Sequence, residues 1–402
     1  MRLGSWDLVK GYSGSNDPDI SPRIAMQIVN ESALCKNRIR RKNYISHQGF
    51  ELLNGLSFLA SDEEVHKFLN SHDVNQAQLL QESLAIIRFN NHHYKGGVIA
   101  IDPHRIISTS KRIMPKKKKK PEEPSKKMLQ TFYAVDTAYG QPIGFGIGSP
   151  GVNTTRATKE LLGIVQTINK EKTLILADKE HFTKELLEYI KNHTGFDFLI
   201  PVMRTDRIHK IEKSLTYNRQ WAGYAIGESL FSFDMDNQKY RLITQREGEV
   251  ESDYKYMSFI TTSDAFAVDL LSEVYRERWT IEDYFNFEGA MGFDRASTFN
   301  LNIRYGKMSL ALLAQAAAYQ LRQKLPKPYN RWNAIHLADA IFNKYDGDIR
   351  VKDDTILVTC YGLPKQFGLH EHLSNLPEKL ISEGIDPRVP WLYNFKLDFR
   401  FK

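Results

Sequence analysis

Three carboxylates stand out by type and position: Asp102, Asp178 and Glu282. Acids delivered from neighbouring strand ends can share hard divalent cations such as Mg²⁺, which take oxygen donors. Asp102 closes the run GGVIAID (96–102), and Asp178 closes TLILAD (173–178). Both runs read as short buried strands, so each Asp is expected at the carboxyl end of a central strand. That edge is where open α/β sheets bind ligands. Turns also favour aspartate, so a strand-end Asp is weak on its own. Glu282 is placed by local spacing. Tyr275, Arg278 and Glu282 in YRERWTIE fall at i, i+3 and i+7, which is one face of a continuous helix. Trp279, Ile281 and Phe285 supply the apolar face that orients it. Asp136, in VDTAYG, competes with Asp102 for the first position; it lies at a hairpin tip, where carboxylates form turns, so Asp102 is preferred. His104 and His181 follow the two aspartates closely and can tune the site, touch its ligand or serve the fold.

The elements that position these acids follow from periodicity. Residues 1–92 are expected to be helical: RIAMQIVNESAL (23–34), HQGFELLNGLSFLA (47–60), SDEEVHKFLNS (61–71) and QAQLLQESLAIIRF (76–89) carry apolar residues at helical spacing. Ser61 with Glu64 three residues on forms a capping box. After the strand 96–102, QTFYAVDTAYGQPIGFGIGS (130–149) predicts a hairpin. Then come a helix at 153–168, the strand 173–178, a helix at 181–193 and a strand at 196–202. This order predicts an α/β fold with a mixed sheet. Residues 203–262 turn β-like, and from Ser263 through Phe285 the pattern is helical again, with further helices at 307–325 and 331–345. The tail, 350–402, is punctuated by Pro and Gly and yields no assignment. The expected domains are a helical domain (1–92), which fits a DNA-binding domain and equally any small bundle, a first part of the α/β core that carries the two aspartates (93–202), a β-rich insertion (203–262), the last part of the core with the Glu helix (263–325), and a helical and irregular C-terminal region (326–402).

Composition bounds the partners. The 402-residue chain is 42% hydrophobic and 26% charged, ordinary for a globular protein, and carries a net charge of +7. Ten basic residues lie between Arg105 and Lys127, among them Lys111, Arg112 and the run Lys116 to Lys120, against only Glu122 and Glu123. A second cluster holds Lys36, Arg38, Arg40, Arg41 and Lys42. A lysine run is as often a solvated loop, but two clusters flanking a candidate metal site point to a phosphate backbone. Cys35 and Cys360 are far apart and form no CxxC pattern, so free thiols are expected rather than a zinc site or a disulfide. No apolar run is long enough to span a bilayer and the N-terminus lacks a signal-peptide core, so a cytoplasmic protein, nucleoid-associated when on DNA, is expected.

At this point the motifs resemble a family. YRERWTIEDYF is similar to the Y-x2-R-x3-E signature of insertion-sequence DDE transposases with a ribonuclease-H-like fold. VIAIDPHRI, FYAVDTAYGQPIGFGI, LILADKEHFTKELLEYI and FITTSDAFAVDLLSEVYRERW resemble the flanking pieces in the same order, over about residues 95–325. The resemblance implies a ribonuclease-H-like mixed sheet flanked by helices, with a β-rich insertion between the second Asp and the Glu; Glu282 follows Asp178 by 104 residues, which suits one. It implies that Asp102, Asp178 and Glu282 hold two Mg²⁺ ions, or Mn²⁺ in their place, and that Tyr275 and Arg278 contact DNA phosphate. Arg105, Lys111, Arg112, Arg38, Arg40 and Arg41 join them as expected DNA contacts. Trp221, in the insertion, either stacks on a flipped base or belongs to a small core. The implied partners are double-stranded DNA, both terminal inverted repeats and target, and a second protomer in the synaptic complex. The implied reaction is cut-and-paste transposition. The signature also expects Lys six residues beyond the Glu, where this chain has Gly289. That departure keeps two alternatives open: an impaired or domesticated transposase that only binds DNA, and a metal-dependent nuclease of the same fold.

Overall fold

The alternation of apolar strands with amphipathic helices builds one large mixed sheet. The structure, a computed structural model, describes all residues except 1–2, 15–16, 37–46, 109–115, 118–121, 123, 149–152, 170–171, 234–237, 294–297 and 299. These residues fall into two compact units: Arg88–Tyr284, and a second made of Met1–Ile87 with Phe285–Lys402.

The helices of the N-terminal stretch are α1 (Ser5–Ser13), α2 (Ile20–Ala33), α3 (His47–Leu53), α4 (Asp62–Asn70) and α5 (Val74–Asn90). The capping box before α4 is present: Ser61 Oγ accepts from Glu64 N at 3.2 Å, and Glu64 Oε2 accepts from Ser61 N at 2.6 Å. The predicted helix at 47–60 is shorter than expected, because Gly55 takes a φ of 65° beside the Trp391 carbonyl and no side chain fits there.

The sheet begins with β1 (Val98–Ile107), β2 (Lys116–Lys117), β3 (Lys126–Asp136) and β4 (Gln141–Ile147). Then follow α6 (Thr154–Ile168), β5 (Leu174–Ala177), α7 (Lys184–Tyr189) and β6 (Asp197–Pro201). Its central order is β4-β3-β1-β5-β6. β1, β5 and β6 are parallel, while β3 runs antiparallel between β1 and β4. This is the mixed sheet flanked by helices that the order of strands and helices predicts. Helix α6 packs on β3 and β4 and is capped by Asn153, whose Oδ1 accepts from Arg156 N at 2.9 Å.

The β-rich stretch contains α8 (Asp206–Ser214), β7 (Asn218–Trp221), β8 (Tyr224–Phe231), β9 (Tyr240–Glu247) and β10 (Lys255–Thr261). These strands extend the same sheet in the order β6-β10-β9-β8-β7, antiparallel throughout. Helix α8 differs from the β-like reading of this stretch. Its nine residues bury only Ile208 and Glu212, too short an apolar pattern to stand out, and Thr205 caps it with Oγ1 accepting from Ile208 N.

The stretch expected as one helix from Ser263 is segmented. It forms α9 (Ala267–Ser272), a 3₁₀ helix over Val274–Trp279 and α10 (Thr280–Glu288). Leu270 and Leu271 of α9 join Leu176, Leu199, Ile243 and Phe259 in one apolar core. Beyond it lie α11 (Leu301–Arg322), capped by Asn300, and α12 (Ala334–Leu337). The unassigned tail folds into β11 (Gly347–Lys352), β12 (Thr355–Cys360), α13 (Leu369–Leu373), α14 (Leu376–Ser382), β13 (Arg388–Val389) and β14 (Phe395–Phe401). Its sheet order is β11-β12-β14-β13. Helix α11 packs against α2 and α4 within the second unit. Among the described residues both cysteines are free, and no helix is long and apolar enough to cross a membrane.

Candidate active site

The parallel ladder between β1 and β5 ends at the pair Ile101↔Ala177. The next residues are Asp102 and Asp178, so the two aspartates leave neighbouring strands at the same level, where strands lie about 4.8 Å apart. Asp178 ends its strand as expected. Asp102 does not: β1 runs on to Ile107, because β3 continues to pair with it out to Ile107↔Met128. Asp102 therefore marks the end of the parallel pairing in the middle of a longer strand.

Arg278 ties the first and third carboxylates together. Its Nη1 donates to Asp102 Oδ2 at 3.0 Å, and its Nη2 lies 3.6 Å from Glu282 Oε1. The Arg278 and Asp102 side chains are only 12% and 14% exposed, so this pair is largely screened from water. Arg278 Nε is buried without a hydrogen-bond partner. The guanidinium also lies 6.0 Å from the Tyr275 ring and 5.3 Å from the Trp279 ring. The 3₁₀ winding brings about this grouping: with three residues per turn, Tyr275 and Arg278 are eclipsed, and the switch to α10 at Thr280 carries Glu282 round to the same arginine.

Burial pushes the Asp102 carboxyl up to about 6, against the pull of Arg278, and the charges of Asp178 and Glu282 push in the same direction as burial. The three acids thus share one electrostatic neighbourhood. Burial also acts upward on Asp178, but its hydrogen bond with His181 and the nearby His181, Glu180 amide and Arg278 outweigh that and hold it below the ordinary value. Asp178 Oδ1 accepts from Glu180 N at 2.9 Å and from His181 Nδ1 at 2.9 Å. Tyr275 packs edge-to-face on Phe259 at 4.8 Å, and burial pushes its hydroxyl up to about 12.

The other expected site residues are dispersed. Arg105 is paired with Glu180, two residues past Asp178, a partner that sequence reasoning missed although DKEH carries it in plain view. Trp221 lies on β7, is 48% exposed and stacks on Tyr224 at 4.3 Å with the planes 6° apart. Asp136, the rival first acid, is 1% exposed; its Oδ2 accepts from the Lys95 and Gly96 amides and its Oδ1 from the Tyr139 amide. Gly289 is buried in a 3₁₀ turn over Gly289–Met291, in the second unit. Lys111, Arg112, Arg38, Arg40 and Arg41 lie outside the described residues.

Three carboxylates offer the hard oxygen donors that Mg²⁺ or Mn²⁺ takes, so the donor chemistry fits such an ion. Asp102 and Asp178 stand side by side for it, while the cationic position between Asp102 and Glu282 is filled by the Arg278 guanidinium. Among the described residues no three His, Cys, Asp or Glu side chains are already drawn together as a metal-holding group.

Residues 93–316 match the family model of the transposase DDE domain, more than half of the chain, and the chain belongs to that family. No curated protein matches the sequence. Among solved structures the chain is similar to a piggyBac transposase synaptic complex with hairpin DNA, at 11% identity and a TM-score of 0.46, covering 81% of this chain and 71% of that one.

Proposed function

We propose that this chain is a DNA transposase that cuts and joins the ends of an insertion sequence by metal-assisted phosphoryl transfer, with Asp102, Asp178 and Glu282 as its acidic residues. The observation that carries this reading is the placement of Asp102 and Asp178 at the level where β1 and β5 part, with Glu282 joined to Asp102 through Arg278. Asp102, Asp178 and Glu282 would hold the ions. Bound Mg²⁺ or Mn²⁺ would supply a more acidic water and stabilise the oxygen that leaves. The chain's own part is positioning and charge balance. Arg278 keeps the first and third carboxylates together in their absence, and its buried Nε–H is a donor that a phosphate oxygen would satisfy. Trp279, 57% exposed beside that guanidinium, offers a flat surface to a sugar or base. The basic segments would neutralise flanking phosphates of double-stranded DNA, and synapsis of two ends would require two protomers.

The test is strand transfer with end DNA and Mg²⁺. Asp178→Asn and Glu282→Gln are expected to lower joined product by more than about 100-fold while leaving end binding within a few-fold. Unimpaired transfer by either variant would show that the acids are assigned wrongly. A cut end without any joined product would instead favour a nuclease. Gly289, buried where the signature expects Lys, favours a second reading in which the chain binds ends without cutting them. Mg²⁺-independent end binding with no cleavage by the wild-type chain would select that reading.

A further inference from the structure

His181 is fully buried, and its two ring nitrogens meet different surroundings. Nδ1 lies 2.9 Å from Asp178 Oδ1. Nε2 is buried with no hydrogen-bond partner, and the ring stands edge-on to Phe132 at 6.1 Å and 88°. A hydrogen on Nε2 would be buried without an acceptor, and a carboxylate oxygen only accepts, so the hydrogen sits on Nδ1 and is donated to Asp178. The geometry follows from the 3₁₀ turn over Lys179–His181, which eclipses the side chains of residues 178 and 181. The turn itself does not need this bond. Its backbone is closed by His181 N donating to Asp178 O at 3.1 Å, and Asp178 already caps it through the Glu180 amide. For packing alone, a leucine or phenylalanine against Phe132 would avoid the unsatisfied Nε2.

Both donors go to the same oxygen. Oδ1 of Asp178 is engaged twice, while Oδ2 accepts no hydrogen bond from the described residues. We infer that His181 is a positioning residue: it locks the Asp178 carboxylate through Oδ1 so that Oδ2 is the oxygen presented to a divalent cation shared with Asp102. The inference rests on the proposed metal-dependent function and deepens it. Donors that orient a ligating carboxylate typically set metal affinity by about 10- to 100-fold.

Mn²⁺ binding to the full chain, read by electron paramagnetic resonance in the presence of end DNA, tests it alongside thermal unfolding. His181→Leu removes the donor while keeping a buried apolar shape. It is expected to weaken Mn²⁺ binding about 10- to 100-fold with an unfolding midpoint near that of the wild type. His181→Asn, whose amide reaches the position of Nδ1, is expected to recover most of the affinity; His181→Gln, whose amide reaches that of Nε2, is not. An unchanged Mn²⁺ affinity in His181→Leu, or equal recovery by Asn and Gln, overturns the inference. Should His181→Leu fail to fold, the Asn and Gln variants carry the same comparison. Asp178→Asn is the benchmark. Wild-type binding that Asp178→Asn abolishes but His181→Leu does not touch sinks the inference alone, whereas a wild type that binds no Mn²⁺ sinks the metal-dependent reading with it.

Discussion

Asp102 and Asp136 lie three residues apart in register on paired strands, with Ile99 facing Asp136 and Asp102 facing Tyr133, yet their surroundings are opposite. Asp136 accepts three backbone amides, so its charge is spent on holding the hairpin and the entry to β1. Asp136→Ala would leave those amides buried without acceptors, and urea unfolding is expected to show a loss of about 3 kcal/mol or more. Asp102 has one protein donor, a guanidinium, and remains available to a cation. The sequence separates the two only through the preference of hairpin tips for aspartate; the three amides become visible only once residues 95 and 96 are folded against the turn. A second residue sets an acid limit. Burial and the Arg88 guanidinium, whose Nε donates to Nδ1 at 3.2 Å, hold the His93 imidazole down at about 4 from its ordinary 6.5. The unfolded chain then takes up a proton that the folded chain refuses, so this contribution to stability is whole above pH 6.5 and is lost as pH falls towards 4. His93→Gln is expected to flatten the pH dependence by on the order of 2 kcal/mol, measured as urea midpoints at pH 7 and pH 4.5.

At the scale of elements, capping rules and long periodicity predict well and short elements escape. Ser61 and Glu64 form the reciprocal cap that their spacing announces, and Ser61→Ala is expected to cost about 1 kcal/mol in chemical denaturation. The core strands and α6 follow from their apolar runs. Helix α8 escapes because two buried residues in nine make no pattern, and the tail sheet escapes because β11 is mostly exposed and β14 only half-buried, so neither buries residues in alternation. The break between the Val274–Trp279 3₁₀ helix and α10 is invisible to periodicity, since i, i+3 neighbours coincide in both windings. Its effect is local and chemical. A continuous α-helix would also place Arg278 and Glu282 on one face, but the tighter turn before it is what brings Tyr275 and Arg278 together beside Asp102, where the pairing of β1 with β5 ends.

At the scale of the molecule, DNA binding by this chain is expected to be governed by salt. The slope of log affinity against log salt should fall by up to about 4.5 when the five lysines from Lys116 to Lys120 are replaced by serine, since each phosphate contact contributes about 0.9. A slope unchanged by that replacement would mean that the run is simply solvated. The order of strands and helices in the core, and the family resemblance of its motifs, were readable along the chain. That the β-rich stretch joins the same sheet was not, because pairing across an edge leaves no mark in local periodicity.

That last connection limits how the protein can be shortened. β10 returns from the stretch between residues 203 and 262 to hydrogen-bond along β6, and β9, β8 and β7 are added outward from it. Cutting out the whole stretch to make a minimal catalytic domain would strip β6 of its neighbour and expose a row of unpaired amides beside Phe198, Leu199 and Ile200, all fully buried now. Such a truncation is expected to precipitate by edge-to-edge association, while one that keeps β10 and removes only the outer strands would retain a covered core.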